Sequence, residues 1–183
     1  MATRQVGTDR GMTDFFSPIA DSPPVVTGGE LAELLGQQHA ELRSLLCRVP
    51  LLHDGAREDV FLRGRRLLAI HLGLEAFVLL PGLDGADDRD HLDEEIAAAE
   101  QEGLESIDFD AALARLAIAF LRHVGMQGGV GPPDQLSPRM GEAVVAAVRL
   151  WEGRGDAYLG NTWSEMVATV TAQLLSQADC ASR

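Results

Sequence analysis

The stretch HLGLEAFVLLP, from His71 to Pro81, is almost entirely apolar, yet it contains a histidine and a glutamate four residues apart. It continues a periodic apolar segment that starts near Phe61 and is apolar around much of a helical circumference. Such a helix is buried against other helices. We therefore expect a central helix that ends at Pro81-Gly82 and carries two polar side chains on a buried face.

The composition favours one helical domain. The 183 residues suffice for a single domain of ordinary size. The hydrophobic fraction is 46% but aromatic residues make up only 5%, and the apolar residues are mostly Leu, Ala and Val, which suits helices. The formal net charge of −13, without a dense basic run, argues against nucleic acid and membrane as partners.

The termini and the cysteines indicate an intracellular protein. Residues 1–26 have no apolar segment of signal-peptide length, and we expect a flexible N-terminal leader there. Cys47 and Cys180 lie far apart and form no C-x-x-C motif, which is typical of a reduced compartment. We therefore expect a cytoplasmic location.

Apolar periodicity and turn residues predict four helices with short connections in the first part of the chain. The first follows a capping box at Thr27-Gly28-Gly29-Glu30. The segments span about 27–50, 55–80, 90–102 and 108–127. The fold class expected is therefore all-α, with an up-down-up-down four-helix bundle over residues 27–135.

Two further helices are predicted in residues 136–183, packed on the bundle. Ser137-Pro138 has the form of an N-cap followed by proline at the first helical position. Thr162-x-x-Glu165 is a second capping box before another apolar period. No strand alternation persists in the sequence.

Four histidines fall on the apolar faces of the four predicted helices. His71 and Glu75 continue a series of apolar positions that step by three and four residues. The first helix contributes His39, the third His91 and the fourth His123. The separation is 32 residues both from the first to the second histidine and from the third to the fourth, as in two copies of one helical hairpin.

These polar residues predict a metal site. A single histidine on an apolar face is usually a core residue with a satisfied hydrogen bond. Several on facing helices, with a carboxylate, favour a cation, because one ion would satisfy several buried polar groups at once. Helical bundles hold two-metal sites in this way. A His-rich site with one or two carboxylates suits iron, zinc or manganese.

The pattern resembles the hemerythrin-like superfamily in its HHE cation-binding form. The matching stretches are QQHAELRSLL around His39, HLGLEAFVLLP with His71 and Glu75, DHLDEEI at His91, and FLRHVGMQ at His123. The resemblance covers roughly residues 29–127. It implies two non-haem irons bridged by carboxylates and an oxo or hydroxo oxygen.

The resemblance also implies roles for these residues. The four histidines would be terminal ligands and Glu75 a bridge. Gln127 stands where a second bridging glutamate is expected, and an amide lacks the charge that stabilises a second cation. Glu95, one turn after His91, either enters the site or belongs to a solvated acidic face with Asp93 and Glu94. The site would therefore hold two irons, an asymmetric pair or a single ion.

Three classes of function follow from such a site. The first is an iron oxidase or oxygenase that uses O₂ or peroxide on a small molecule, with a possible electron donor. The second is a protein that binds or senses O₂, nitric oxide or iron. The third is a scaffold without metal. The glycine-proline loop 128–138 is either a substrate entrance or a plain turn.

Overall fold

The computed structural model describes residues 28–79, 86–127, 138–154 and 159–181, and its elements within them are all helical. The all-α class is therefore confirmed. The six α-helices are α1 (Gly28–Arg48), α2 (Asp54–Leu79), α3 (Ala86–Gln101), α4 (Ile107–Gln127), α5 (Pro138–Glu152) and α6 (Trp163–Ala181), with a 3₁₀ turn at Val49–Leu51. Among these residues, no helix is long and apolar enough to cross a membrane.

The predicted leader and several loop positions lie outside the described residues. These are residues 1–27, the glycine-proline loop up to residue 137, and Tyr158. Thr27 and Ser137 belong to this group, so their capping roles have no structural description. Pro138 is the first residue of α5, as the sequence predicts.

The central position of α2 follows from its sequence. Every residue from Leu67 to Leu74 is buried, so α2 is covered on all sides over two turns. It packs most extensively on α6, then on α1 and α5, and it also contacts α3 through Arg65 and Glu100 and α4 through Glu75 and His123. The other strong pairing joins α3 to α4.

The C-terminal helices belong to the same core as the first four. Val144 and Trp151 of α5, and Val170 and Leu174 of α6, are almost fully buried in one apolar cluster with α1 to α4. In the described parts of the chain, six helices thus share one core, and a separate four-helix bundle is not confirmed. Helix α6 packs on α2 more extensively than any of the first four helices does.

A glycine lets α2 and α6 approach closely. A Cβ atom placed on Gly73 would overlap with the side chain of Val170 on α6. Gly73 is two residues from both His71 and Glu75, so α6 packs at the same level of α2 but on the side of the helix opposite these two polar residues.

The start of α6 is fixed by hydrogen bonds. Glu165 Oε2 accepts from the backbone N–H of Asn161 at 2.7 Å and of Thr162 at 3.2 Å, while Thr162 Oγ1 accepts from the backbone N–H of Glu165. This confirms the predicted capping box. Helix α3 supplies two more acceptors, since Asp93 Oδ1 accepts from Trp163 Nε1 and Glu100 Oε2 from the Trp163 backbone N–H. Asp93 is thus engaged with α6, although the sequence predicts it on a solvated face.

Candidate metal centre

Four polar side chains from three helices meet in the interior. They are His39 on α1, His71 and Glu75 on α2, and His123 on α4. Each offers one ligand atom, and these atoms all lie within 4.8 Å of one another. His71, Glu75 and His123 are buried, whereas 17% of the His39 side chain is exposed. The cluster could hold a metal ion and reaches solvent at His39.

Glu75 lies at the centre of the cluster. Its Oε2 is 2.9 Å from His123 Nε2. Its Oε1 is 2.7 Å from His71 Nε2 and 3.6 Å from His39 Nε2. The two histidines of α1 and α2 face each other through their Nε2 atoms, which are 3.0 Å apart. One carboxylate oxygen therefore faces two imidazoles, and the other faces the imidazole from α4.

These separations fit a metal ion. At metal–nitrogen bonds of about 2.1 Å, adjacent ligand atoms lie about 3.0 Å apart in an octahedral site and about 3.4 Å apart in a tetrahedral one. The distances of 3.0 Å and 2.7 Å at His71 Nε2 are close to the octahedral value. Glu75 Oε1 is buried and makes no hydrogen bond, although His71 Nε2 is near. Buried polar atoms normally have partners, and a shared cation would be one.

Hydrogen bonds on the other side of His71 explain why Glu75 Oε1 lacks a donor. His71 Nδ1 lies 3.1 Å from Gln38 Oε1, and Gln38 Nε2 donates to Glu152 Oε1 at 2.9 Å. Because an amide oxygen only accepts, Nδ1 carries the proton of the His71 ring. In the neutral ring, Nε2 is then an acceptor that faces another acceptor at Glu75.

Sequence reasoning missed both Gln38 and Glu152. Gln38 gave a signal, because it lies four residues after Leu34 and four before Leu42, both of which are buried, and it is itself only 2% exposed. A polar residue on such an apolar face needs a polar partner in the interior. Glu152 is exposed at the end of α5, and no local sequence pattern indicates its role. Its partner Gln38 is 114 positions away in the sequence.

Burial and charge set the protonation of the α2 residues. Burial lowers the pKa of the His71 imidazole and outweighs the opposite effect of Glu75. Burial by itself would raise the pKa of Glu75, but contacts with His123 and then His39 hold the pKa of that carboxyl below its usual range. A neutral imidazole and an ionised carboxylate are the forms that bind metals.

An apolar wall limits access to the cluster. The Phe120 ring, almost fully buried on α4, lies 6.1 Å from the His39 ring and 6.4 Å from the His123 ring, measured between centroids. It stands one turn before His123, as the helical period requires. Together with the burial of His71, it leaves the exposed edge of His39 as the side of the cluster open to solvent.

The structure does not bring His91 and Glu95 into the cluster. The His91 side chain is 46% exposed, and its Nδ1 lies 3.9 Å from Glu94. Glu95 Oε2 instead accepts a hydrogen bond from Arg115 Nε at 2.9 Å. Gln127 is the last residue of α4, and its side chain lies outside the described part of the chain. Four of the predicted ligands thus converge, and two do not.

A fifth histidine and one cysteine lie outside the cluster. His53 is exposed in the turn before α2, outside the cluster. Cys47 is exposed near the end of α1 and carries a free thiol that is not part of the cluster.

Known proteins offer no direct guide to the function. No protein-family model matches the chain, and comparison with curated proteins and with solved structures gives no match either. The all-helical fold and the cluster of His39, His71, Glu75 and His123 are compatible with a hemerythrin-like fold. The functional argument therefore depends on the geometry of the site.

Proposed function

We propose that the protein is a hemerythrin-like non-haem iron protein that activates O₂ or peroxide for the oxidation of a small molecule. One observation carries the proposal: three imidazoles and one buried carboxylate converge, and Glu75 Oε1 has no hydrogen bond within that cluster. A divalent cation would supply the missing partner and offset the buried charge.

The choice of iron rests mainly on the resemblance to the hemerythrin-like superfamily, and the donor set is consistent with it. His39, His71 and Glu75 Oε1 form a group of two imidazoles and one carboxylate around the 3.0 Å and 2.7 Å contacts. Two histidines and one carboxylate with open positions are typical of non-haem Fe(II) proteins. Zinc and manganese also accept these donors, so iron must be tested against them.

We further propose that the two ends of Glu75 differ in metal affinity. Oε1 has two histidines near it, His71 and His39, whereas among the described residues Oε2 has one, His123. A second ion would therefore need further donors, such as Gln127 or water. We expect one tightly bound iron and a weaker second equivalent, which is an asymmetric form of the two-iron site.

Bound iron would supply an open coordination position and a redox couple for O₂ or peroxide. The protein's own part is to hold the donors, to exclude most water through Phe120 and the burial of α2, and to leave access at His39. An electron donor would return the iron to its ferrous form between turnovers.

A gas-binding or iron-binding role without turnover is the second candidate, and the limited opening of the site favours it. Only His39 among the four cluster residues has a partly exposed side chain. Two surface cavities of about 340 and 470 Å³ are lined by other residues. A diatomic gas needs far less space than the several hundred Å³ typical of sites for small organic molecules.

The metal proposal is tested by binding and by spectroscopy. Protein purified without oxygen is titrated with Fe(II), Mn(II) and Zn(II) by calorimetry, and its metal content is measured after dialysis. We expect about one tightly held equivalent of iron. Less than half an equivalent of every metal after loading would contradict the proposal and favour a scaffold.

The reactivity is tested on the same iron-loaded sample. Absorbance is followed after O₂, peroxide or nitric oxide is admitted, and O₂ consumption is measured with an added reductant and a panel of small oxidisable compounds. Sustained consumption that depends on one of these compounds supports the enzyme. A spectral change that reverses when the gas is removed, without consumption, supports the binding protein.

A further inference from the structure

We propose that Gln38 and Glu152 are positioning residues for the metal site, which act through His71 and make α5 part of that site. The three side chains form a continuous chain of hydrogen bonds from an exposed carboxylate to a buried ligand. The contacts are 2.9 Å between Gln38 Nε2 and Glu152 Oε1, and 3.1 Å between Gln38 Oε1 and His71 Nδ1.

The chain of hydrogen bonds has a fixed direction. A carboxylate accepts hydrogen bonds and cannot donate them, so the amide nitrogen of Gln38 must face Glu152. The amide oxygen must then face His71, and it can only accept. His71 Nδ1 therefore donates, and the orientation of the amide, which is often ambiguous, follows here from the carboxylate.

The direction determines which nitrogen of His71 is available for a metal. With the proton on Nδ1, the lone pair of the neutral ring lies on Nε2. That atom faces Glu75 Oε1 at 2.7 Å and His39 Nε2 at 3.0 Å. The hydrogen bonds to Gln38 thus place an electron pair toward the point where the other donors converge.

The charge on Glu152 adds to this effect. A carboxylate polarises the amide of Gln38, and a polarised amide oxygen strengthens its hydrogen bond with Nδ1, which makes Nε2 a better donor to a metal. Gln38 is 2% exposed, so water does not compete readily for its amide. Glu152 is the last residue of α5, and it lines a surface cavity together with Arg63 and Arg66.

The inference rests on the proposed metal site for its consequence, but its first test needs no metal. Ring-nitrogen NMR shifts of the histidines are measured in the metal-free protein, with His71 assigned from the His71→Ala variant. We expect the form protonated at Nδ1 in the native protein. We expect loss of that preference in Gln38→Met, which keeps the length of the side chain and removes both hydrogen bonds. A ring protonated at Nε2 in the native protein overturns the inference, whether or not metal binds.

The second test uses Co(II) as a spectroscopic probe. Gln38→Met should weaken Co(II) binding by about 10- to 100-fold and change the visible spectrum at saturation, since partners of metal ligands have effects of this size. Gln37→Met is the matched control, because Gln37 is the exposed neighbour on α1 and its amide donates a hydrogen bond to Glu33 on the surface of the same helix. Glu152→Gln should have a smaller effect, with Glu142→Gln on the same helix as its control.

A double variant separates positioning from simple packing. In Gln38→Glu with Glu152→Gln, the carboxylate and the amide change places, and both hydrogen bonds can form again with the proton still on Nδ1. We expect Co(II) affinity within about threefold of the native protein, against the loss in Gln38→Met. Equal binding and equal spectra in native protein and Gln38→Met would overturn the inference while leaving the metal site intact.

Discussion

The hairpins α1–α2 and α3–α4 have the same histidine spacing and different outcomes. In each, 32 residues separate the two histidines. The first hairpin brings His39, His71 and Glu75 into the cluster, whereas the second brings only His123 among its described side chains. Equal spacing therefore does not ensure equal geometry.

The register of each helix explains the difference. On α3 the fully buried positions are Leu92, Ile96 and Ala99. His91 precedes the first of these by one residue, which corresponds to a rotation of about 100° around the helix. Glu95 is displaced in the same way before Ile96. A histidine on an amphipathic helix joins a buried site only if it lies on the face that the helix buries.

The largest expected effect is a loss of iron affinity when a ligand predicted in the first hairpin is removed, compared with one predicted in the second. His71→Ala and Glu75→Ala should each reduce iron affinity by more than about 100-fold, beyond the range for partners that only support a ligand. His91→Ala and Glu95→Ala should change it by less than about threefold. Calorimetric titration with Fe(II) measures all four, with circular dichroism to verify helicity. A large loss in His91→Ala would mean that α3 rotates when metal binds.

The next effect concerns the only described ligand of the second hairpin. His123→Ala should weaken the second equivalent of iron by about tenfold or more and leave the first tightly bound, because Glu75 Oε1 keeps both of its neighbouring histidines. His39→Ala should instead weaken the binding of the first equivalent of iron. Equal loss of both equivalents in the two variants would indicate one ion shared by all four donors.

Two glycines provide a third comparison, since each follows its histidine by two residues. Gly73→Ala should destabilise the protein by about 1–3 kcal/mol, because the added methyl group overlaps with Val170 on α6. Gly125→Ala meets no atom within 4 Å and should stabilise α4 by about 0.5–1 kcal/mol. Chemical denaturation measures both. Stabilisation by Gly73→Ala would show that α6 does not pack closely on α2 in solution.

The smallest effect concerns the start of α6, a helix that packs mainly on α2 of the first hairpin and is also hydrogen-bonded to α3 of the second. Thr162→Ala should cost about 1 kcal/mol of stability through loss of the cap. Hydrogen bonds from the Asn161 and Thr162 backbone hold the pKa of Glu165 below its ordinary value of 4.5. The contribution of this carboxylate is therefore present above about pH 4.5 and is lost as the pH falls below that value.

The pH dependence is measured by thermal unfolding of the native protein and of Glu165→Gln. The difference between the two should be largest near neutral pH and should shrink in acid, because the carboxylate loses its charge there. A difference that grows in acid would contradict the capping arrangement.

Much of the fold and part of the site could be predicted from the sequence. The apolar period of α2 predicted its burial, and the three- and four-residue steps placed His71 and Glu75 inside, because helical spacing is a local property. His39 and His123 followed from the same rule. Thr162 and Glu165 predicted their own cap, since a capping box involves only residues within one turn.

The remaining features depend on contacts that no local pattern encodes. The ligand role of His91 is implied by the resemblance and supported by the 32-residue repeat, although the apolar positions Leu92 and Ile96 define a buried face that begins one residue later. Glu152 was missed because its partner lies on another helix. The dominant packing of α6 on α2 was also missed, since both helices carry wide apolar faces and periodicity does not say which faces pair.

The close packing of α6 on α2 has a consequence for how the protein is made. All four cluster residues have been synthesised once α4 is complete at Gln127, whereas α6 ends only at Ala181. At about 5–20 residues per second, the ribosome needs roughly 3 to 11 s for that remainder. During this time the side of α2 around Gly73 lacks the partner that covers it in the folded protein.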